Sequence, residues 1–413
     1  MMIRSIKNIK KDAIIYPVFD VLINGLNFFI ILYINNRLDD HQFSVFNALI
    51  ALAGVLFIFG VSIQTYTAKS FDENMRLSVS IKGLYLPLFI GFNAIFLING
   101  FWLINYIRTS YIGYVSVLLL MNIHALVSYE RGKMQGRKKF RQLNISFYTE
   151  VLTRIILTLI ILRWELSYEA AVISIALGML VSYIHGLVVN RNIVKKKERR
   201  NLKDKNFFWL ITSNGCIFLM TNISILTLNN RLPEISAEYS LATKFSQLLI
   251  AVTLSIITIL IPYALDQLHD ELAFRRFVLF GLAGLFAVVL IIYISYLIVF
   301  PVVGSWVLGE KAVTVFSIIK WQAIAYIFFP LSQFLITMDV VGNRHRYIGK
   351  LLSMGVLYVI LLNLIPAQMN LFIALEVVVH VTLFISLSYK WIVRRNKNEK
   401  KITFPIMERH TSQ

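Results

Sequence analysis

Twelve apolar stretches, each long enough to cross about 30 Å of hydrocarbon as a helix, decide what this chain can become. They lie near residues 13–34, 43–66, 83–104, 111–128, 144–162, 169–190, 207–228, 239–262, 277–300, 313–338, 347–365 and 371–391. In lipid every backbone N–H and C=O must find a partner inside the protein, so stretches of this length span as helices. Composition agrees: 57% of the 413 residues are hydrophobic and 15% charged, whereas a soluble chain carries about a quarter charged residues. The fold class predicted is an all-α polytopic membrane protein. The single cysteine, Cys216, leaves no disulfide framework or Cys-rich metal site. Arg4, Lys7, Lys10 and Lys11 precede the first stretch as in a signal peptide. That stretch is too long for an h-region and no small-x-small site follows it, so it reads as a retained anchor.

The basic residues set an orientation. With the N-terminus placed in the cytoplasm, the inside segments hold 33 Lys and Arg and the outside loops five: Arg37, Arg108, Arg163, Arg231 and Lys311. This bias is the positive-inside signal. It predicts both termini in the cytoplasm, and it accounts for most of the net charge of +19 with no nucleic-acid partner. Trp102, Trp164 and Trp306 fall near outer ends and Trp209 and Trp391 near inner ends, as interfacial belts do. The longest outer loop is expected at residues 301–312, too short for an external enzymatic domain.

The most basic stretch, residues 194–206, divides the spans into six plus six. The units expected are an N-terminal six-helix bundle over 1–194, a basic cytoplasmic linker over 195–206, a C-terminal bundle over 207–391 and a basic tail over 392–413. Phe43-Ser44-Val45 opens the second span and Tyr239-Ser240-Leu241 the eighth. Six is even, so such a repeat is parallel, with a central cavity between the halves.

The run Ala237-Glu238-Tyr239-Ser240-Leu241-Ala242-Thr243-Lys244-Phe245, closed by Pro262, resembles the eighth helix of Wzx-type polysaccharide flippases. These belong to the MOP superfamily, with the MATE exporters and the lipid II flippases. The loops Gly136-Arg137-Lys138-Lys139-Phe140 and Gly342-Asn343-Arg344-His345-Arg346-Tyr347 are similar to that family as well. Twelve spans favour the Wzx or MATE branches over the fourteen-span lipid II flippases. The stretch Gln64-Thr65-Tyr66-Thr67-Ala68-Lys69 departs from the pattern, since many relatives carry an arginine nearer the membrane there.

Ionisable residues at membrane depth are costly and face the bundle interior. Six qualify: Asp20, Glu150, Arg154, Lys244, Lys320 and Glu376. Arg154 lies near the midplane, with Glu150 one turn away on the same face. Two readings stand for this pair: a self-neutralising structural contact, or a cavity-lining guanidinium tuned by Glu150. Ser240, Lys244, Gln247, Ser255 and Thr258 form a polar stripe expected to face a wet cavity, and the lysine matches one that family members carry. Lys320 lies close to the outer surface, where snorkelling competes with a cavity role. Asp20, Asn24 and Asn27 make a stripe on the first span, above Tyr16 and Pro17. Asp20 and Asn24 are the ion-coupling candidates there, against plain interhelical hydrogen bonding. Glu376 and His380 share a face of the twelfth span and could pair there, and His124 and His185 are placed near inner ends; a structural role is the preferred reading for these four. Pro87 and Pro330 fall inside spans.

The resemblance implies a flippase moving a polyprenyl-pyrophosphate-linked oligosaccharide (of the undecaprenyl-pyrophosphate type) across the bacterial inner membrane by alternating access, for O-antigen, lipopolysaccharide or other surface polysaccharide assembly. Arg154 and Lys244 would attract the pyrophosphate or acidic sugars, with Gln247 beside them, and Tyr16, Tyr239 and Tyr326 would offer stacking faces. Partners implied are membrane lipids, a polysaccharide polymerase and chain-length machinery, with H⁺ or Na⁺ as the coupling ion. No cofactor or metal is expected. No motif for covalent chemistry occurs, so the protein is not expected to be an enzyme. Two rivals remain: a MATE-type drug or cation antiporter, and a membrane glycosyltransferase or polysaccharide polymerase. Basic cavity residues count against the first and short outer loops against the second.

Overall fold

The computed structural model describes residues 11–68, 70, 81–137, 139–193, 205–342, 344 and 347–393. Thirteen α-helices and one 3-10 turn occur among them: α1 Lys11–Arg37, α2 Asp40–Leu56, α3 Ile58–Ala68, α4 Ile81–Ile107, α5 Tyr111–Gly136, α6 Phe140–Trp164, α7 Tyr168–Asn190, α8 Lys205–Arg231, α9 Ser236–Asp266, α10 Glu271–Leu308, α11 Lys311–Val341, α12 Tyr347–Leu364 and α13 Met369–Val393. Each expected span is one helix except the second, which α2 and α3 share. Eleven stretches among the described residues are long and apolar enough to cross a membrane.

The interhelical contacts repeat with a period of six spans. The α3–α5 contact recurs as α9–α11, α5–α7 as α11–α13, and α6–α7 as α12–α13. Likewise α1–α6 recurs as α8–α12, and α4–α5 as α10–α11. Between the two halves, α1 packs on α9 while α2 and α3 pack on α8, a pair of contacts that a two-fold axis would exchange. The protein is thus an all-α polytopic membrane protein built as two six-span halves.

The end of the bundle with few cations is termed the outer end here, after the charge asymmetry. Short connections close it, and side chains from neighbouring helices satisfy the carbonyls that helix C-termini leave free. Asn229 Nδ2 donates to Ile107 O and Asn230 Nδ2 to Tyr106 O, both at 2.8 Å, capping α4. Arg231 donates to Leu362 O and Ile365 O at 2.7 Å, capping α12. Arg108, at φ 61°, donates from its guanidinium to Asn230 O. Ser44 Oγ donates to Asn229 Oδ1 at 2.6 Å, and Lys311 pairs with Asp40. All of these bonds except those of Arg231, which lie within the C-terminal half, tie the halves together at the outer end. The innermost of the inter-half side-chain bonds described joins Asn214 to Ser62.

Three expectations change. The loop placed at 301–312 is only residues 309–310, because α10 runs through Pro301 to Leu308 and Gly309 turns the chain at φ 57°. His124 is not near an inner end: α5 continues to Gly136, which leaves His124 at middle depth. Trp306 and Trp164 are exposed as belt residues should be, but Trp391 is buried. Its ring lies under the Arg344 guanidinium and against Phe274.

Candidate functional site

The N-terminal half holds a buried charge cluster centred on Glu150. The pair read from i,i+4 spacing is present, Arg154 Nη2 donating to Glu150 Oε1 at 2.5 Å. It is not self-neutralising. Arg131 of α5 donates to Glu150 Oε2 at 2.7 Å, so two guanidiniums share one carboxylate and the cluster keeps an excess positive charge. Arg131 is one of the 33 cations that the charge asymmetry assigns to the inside segments; α5 carries it into the bundle, where its guanidinium also reaches Ser146 and Ser182 and lies 3.9 Å from the Phe147 ring centroid. Ser146 and Ser182 hydroxyls meet at 2.8 Å.

Close packing makes this cluster. Gly178, Ser182 and Gly186 follow at intervals of four on α7, a small-residue stripe that lets helix backbones approach. A side chain at Gly178 would press on Glu150 O and the Arg154 backbone, and one at Gly186 on Glu130. Glu130 is itself satisfied by Lys133 and by Asn190 of α7. The sequence signal for the cluster was Ser146, Glu150 and Arg154, one polar stripe on α6 that demands partners on the helices facing it.

Arg154 also binds the neighbouring first helix. Its Nη1 donates to Asn27 Oδ1 at 2.8 Å, while its buried Nε has no hydrogen-bond partner. The next residue of α1, Phe28, packs edge-on against Phe245 of α9 with ring centroids 4.5 Å apart. Phe245 follows Lys244. Consecutive residues of α1 therefore connect the Arg154 cluster of one half to the Lys244 turn of the other. Lys244 is half-buried and donates to Gln247 Oε1 at 3.3 Å, and Gln247 in turn donates to Thr221 O. Among the described residues no carboxylate forms a salt bridge with Lys244.

The stripe expected on the eighth span divides. Ser240 and Ser255 are packed inside the bundle rather than along a wet face, leaving Lys244 and Gln247 as its accessible part. The side chains of Thr258 and Pro262 lie outside the described residues, as do those of Asp20, Tyr16 and Pro87. Asn24 is half-buried on α1, one turn inward of Asn27. Lys320 belongs to neither cluster. It is exposed on the face of α11 that carries Val313 and Trp321, with its amine over the Trp321 ring, the arrangement of a cation snorkelling to the interface.

Tyr239 and Tyr326 are fully buried, so neither ring is free to stack on a ligand in this state. Tyr239 instead donates to Glu376 Oε2 at 2.9 Å, joined there by Gln322 Nε2 at 3.0 Å. Glu376 and His380 do not pair through their side chains. His380 Nδ1 lies 2.7 Å from the Glu376 carbonyl oxygen, which only accepts, so the imidazole donates to it.

The family described as polysaccharide biosynthesis protein matches residues 9–266 of this chain. A search of curated proteins finds no match. Among solved structures, an inward-facing multidrug resistance MATE family transporter of the MOP superfamily superposes with a TM-score of 0.68 at 10% identity, covering 91% of this chain and 98% of that one. An outward-facing MATE family transporter gives 0.61 at 14% identity, with 92% and 95% covered. A MATE in the bent conformation gives 0.62 at 12% identity, with 92% and 94% covered. These likenesses concern the fold.

Proposed function

The chain belongs to the polysaccharide biosynthesis protein family, and from that premise we propose that it flips a lipid-linked oligosaccharide across the membrane by alternating access of its two halves. The observation that carries the reading is the buried excess of positive charge around Glu150, placed against α1 where the halves meet. A pyrophosphate-linked sugar chain cannot cross hydrocarbon unaided, and its anionic head needs a cation that survives desolvation. A guanidinium does so, because it stays charged when buried and offers a planar fork to phosphate oxygens. Arg154, with Nε unpartnered and Nη1 on a neutral Asn27, is the member of the cluster with capacity to spare. Lys244, one α1 residue away on the opposite half, supplies the second cation. The polyprenyl tail stays in lipid throughout.

Movement of residues 1–194 against 207–391 would exchange access. The outer end is held by bonds among Ser44, Asn229, Asn230 and Arg108, so export requires that these part. We assign the orientation with both termini in the cytoplasm from the basic asymmetry, in the cytoplasmic membrane of a bacterium. H⁺ or Na⁺ would drive the cycle, and a polymerase with its chain-length machinery would take the product. The fold alone suits a cationic-drug exporter equally well; two arginines against one carboxylate oppose such a cargo. Connections as short as residues 309–310 leave no room for a glycosyltransferase or polymerase domain at the outer end.

The test is surface glycan in a strain deleted for the chain's gene and complemented with the wild type or Arg154→Ala at equal membrane abundance. Loss of surface glycan, with undecaprenyl-linked repeat units accumulating inside, is the expected outcome. Unchanged glycan together with lost efflux of a cationic dye would replace this reading with the exporter.

A further inference from the structure

The C-terminal half contains a buried carboxyl group without a counter-ion among the described residues. Glu376 of α13 is completely buried, and among the described residues no lysine, arginine or histidine forms a salt bridge with it. Its Oε2 accepts from Tyr239 of α9 and Gln322 of α11, whereas Oε1 is buried with no partner. The hydroxyls of Tyr326 on α11 and Tyr358 on α12 are also buried without a hydrogen bond of good geometry, and both interact electrostatically with the Glu376 carboxyl. The titratable groups around it are thus His380 on its own helix and Tyr239, Tyr326 and Tyr358 on the three helices facing it. His380 is already engaged as a donor to Glu376 O, between the rings of Tyr326, Tyr358 and Phe329.

An isolated carboxylate in such a place is expensive, and two neutral donors offset only part of the cost. One proton on Oε1 removes the charge and turns an orphan acceptor into a donor that a neighbouring tyrosine oxygen can accept. A sodium ion fits less well. It needs a shell of oxygen ligands, yet Gln322 turns its amide nitrogen and Tyr239 its O–H toward the carboxylate.

We propose that Glu376 is a proton-binding site of the transport cycle, protonated in the outer-closed arrangement described here and deprotonated when the outer end opens. The step is an acid–base exchange with water and requires no other reactant. The connection to the gate is α9: it carries Tyr239 within a turn of its outer end and packs on α1, α2 and α11. Loss of the proton leaves a carboxylate that must be hydrated, which favours parting α9 from its neighbours. This inference rests on the alternating-access reading, but its test needs no glycan.

The full chain, purified and reconstituted in lipid, is examined by infrared spectroscopy as wild type and as Glu376→Gln. At neutral pH the wild type should show a protonated-carboxyl C=O band that the variant lacks, and alkaline buffer should remove it. Glu376→Gln mimics the neutral form, so it should melt no lower than the wild type. Spin labels at Ile112 and Val313, exposed residues near the outer end on opposite halves, in a Cys216→Ala background, should report a distance that shifts between mildly acidic and alkaline buffer. In Glu376→Gln that shift should vanish. Three results would overturn the proposal: no Glu376-dependent band, a pH shift that persists in the variant, or a distance that follows exchange of Na⁺ for choline at fixed pH. Failure of glycan export to depend on this chain would instead undo the flippase reading while leaving the infrared result intact.

Discussion

Arg131 Nη2 and Glu150 Oε2 lie 2.7 Å apart on neighbouring helices, nineteen residues distant in sequence and both buried. This contact changes what the i,i+4 pair of Glu150 and Arg154 means. Were the pair alone, removing one charge would strand the other. With Arg131 present, Glu150 is, among the described residues, the one carboxylate paired with both guanidiniums, and removing it strands both.

Glu150→Gln is therefore expected to be the most damaging single change in the cluster. Breaking a buried pair by deleting one partner costs about 3–5 kcal/mol, and here two guanidiniums lose their counter-charge together. The thermal midpoint in detergent should fall and membrane abundance with it. Adding Arg131→Gln should recover part of the loss, since one uncompensated charge is then removed. A double variant no more stable than Glu150→Gln would show that Arg131 is held by Ser146, Ser182 and Phe147 rather than by the carboxylate.

Arg154→Ala and Lys244→Ala should each reduce glycan export while leaving the protein in the membrane, because neither is the sole partner of a buried anion. Arg154→Ala leaves Glu150 paired with Arg131, so its effect on the melting temperature should be smaller than that of Glu150→Gln. Lys320→Ala should leave export unchanged, because the side chain is exposed beside Trp321. Export rates normalised to protein level give the ranking. Equal export from Arg154→Ala and Lys320→Ala would remove Arg154 from the substrate path.

The spans were legible because lipid tolerates few alternatives: a long apolar run must be a helix, whereas the six-span period was hinted at only by the basic stretch at 194–206 and the Phe43 and Tyr239 echo. Helix ends were less legible. Apolar windows stop where charge begins, yet α5 continues through Glu130 and Arg131 to Gly136 because Asn190, Ser146 and Ser182 wait there to bond them. The same discrepancy moved His124 to middle depth and put Arg131 among the cations of the inside segments. Arg154, paired with Glu150, and Lys244 stood out as cations inside apolar windows, whereas Arg131, beside Glu130 at the end of a window, resembled a topology signal. Glu376 was visible as a charge in an apolar span. Its hydrogen-bond partners Tyr239 and Gln322 were not, since they come from two other helices.

The outer end offers a contrast between two kinds of inter-half contact. Asn229 is buried and bonds both Ser44 and Ile107 O, so Asn229→Ala leaves a helix-terminal carbonyl and a hydroxyl without partners. Each lost bond of this kind costs about 1–3 kcal/mol. The variant should populate the outward-open arrangement more, read as increased reaction of Ala237→Cys, a buried position at the outer end of α9, with a membrane-impermeant maleimide in intact cells. Lys311–Asp40 is a solvent-exposed pair, worth about 0–1 kcal/mol, and Lys311→Ala should leave that reactivity as it is. Equal labelling in both variants would mean that the buried bonds do not hold the gate.

The break in the second span yields the last prediction. The chain leaves α2 at Leu56 and enters α3 at Ile58, with the Phe57 N–H shared between Ala53 O and Gly54 O and the Phe57 ring stacked on His124 at 3.9 Å. One turn on, Gly60 has no side chain, and the His124 imidazole fills the space a Cβ would occupy, with Ser128 Oγ beside it. Gly60→Ala must therefore displace the ring or part α3 from α5, at a cost of about 1–3 kcal/mol for an overpacked core. His124→Ala should destabilise by a different route, through the cavity it leaves. Combined, the two changes relieve each other: the new methyl enters the space the imidazole vacates. The double variant should thus melt above the sum of the single effects by an interaction energy of about 0.5–3 kcal/mol. Additive melting shifts would mean that the imidazole is not the wedge between α3 and α5, and that the irregularity at Phe57 has another cause.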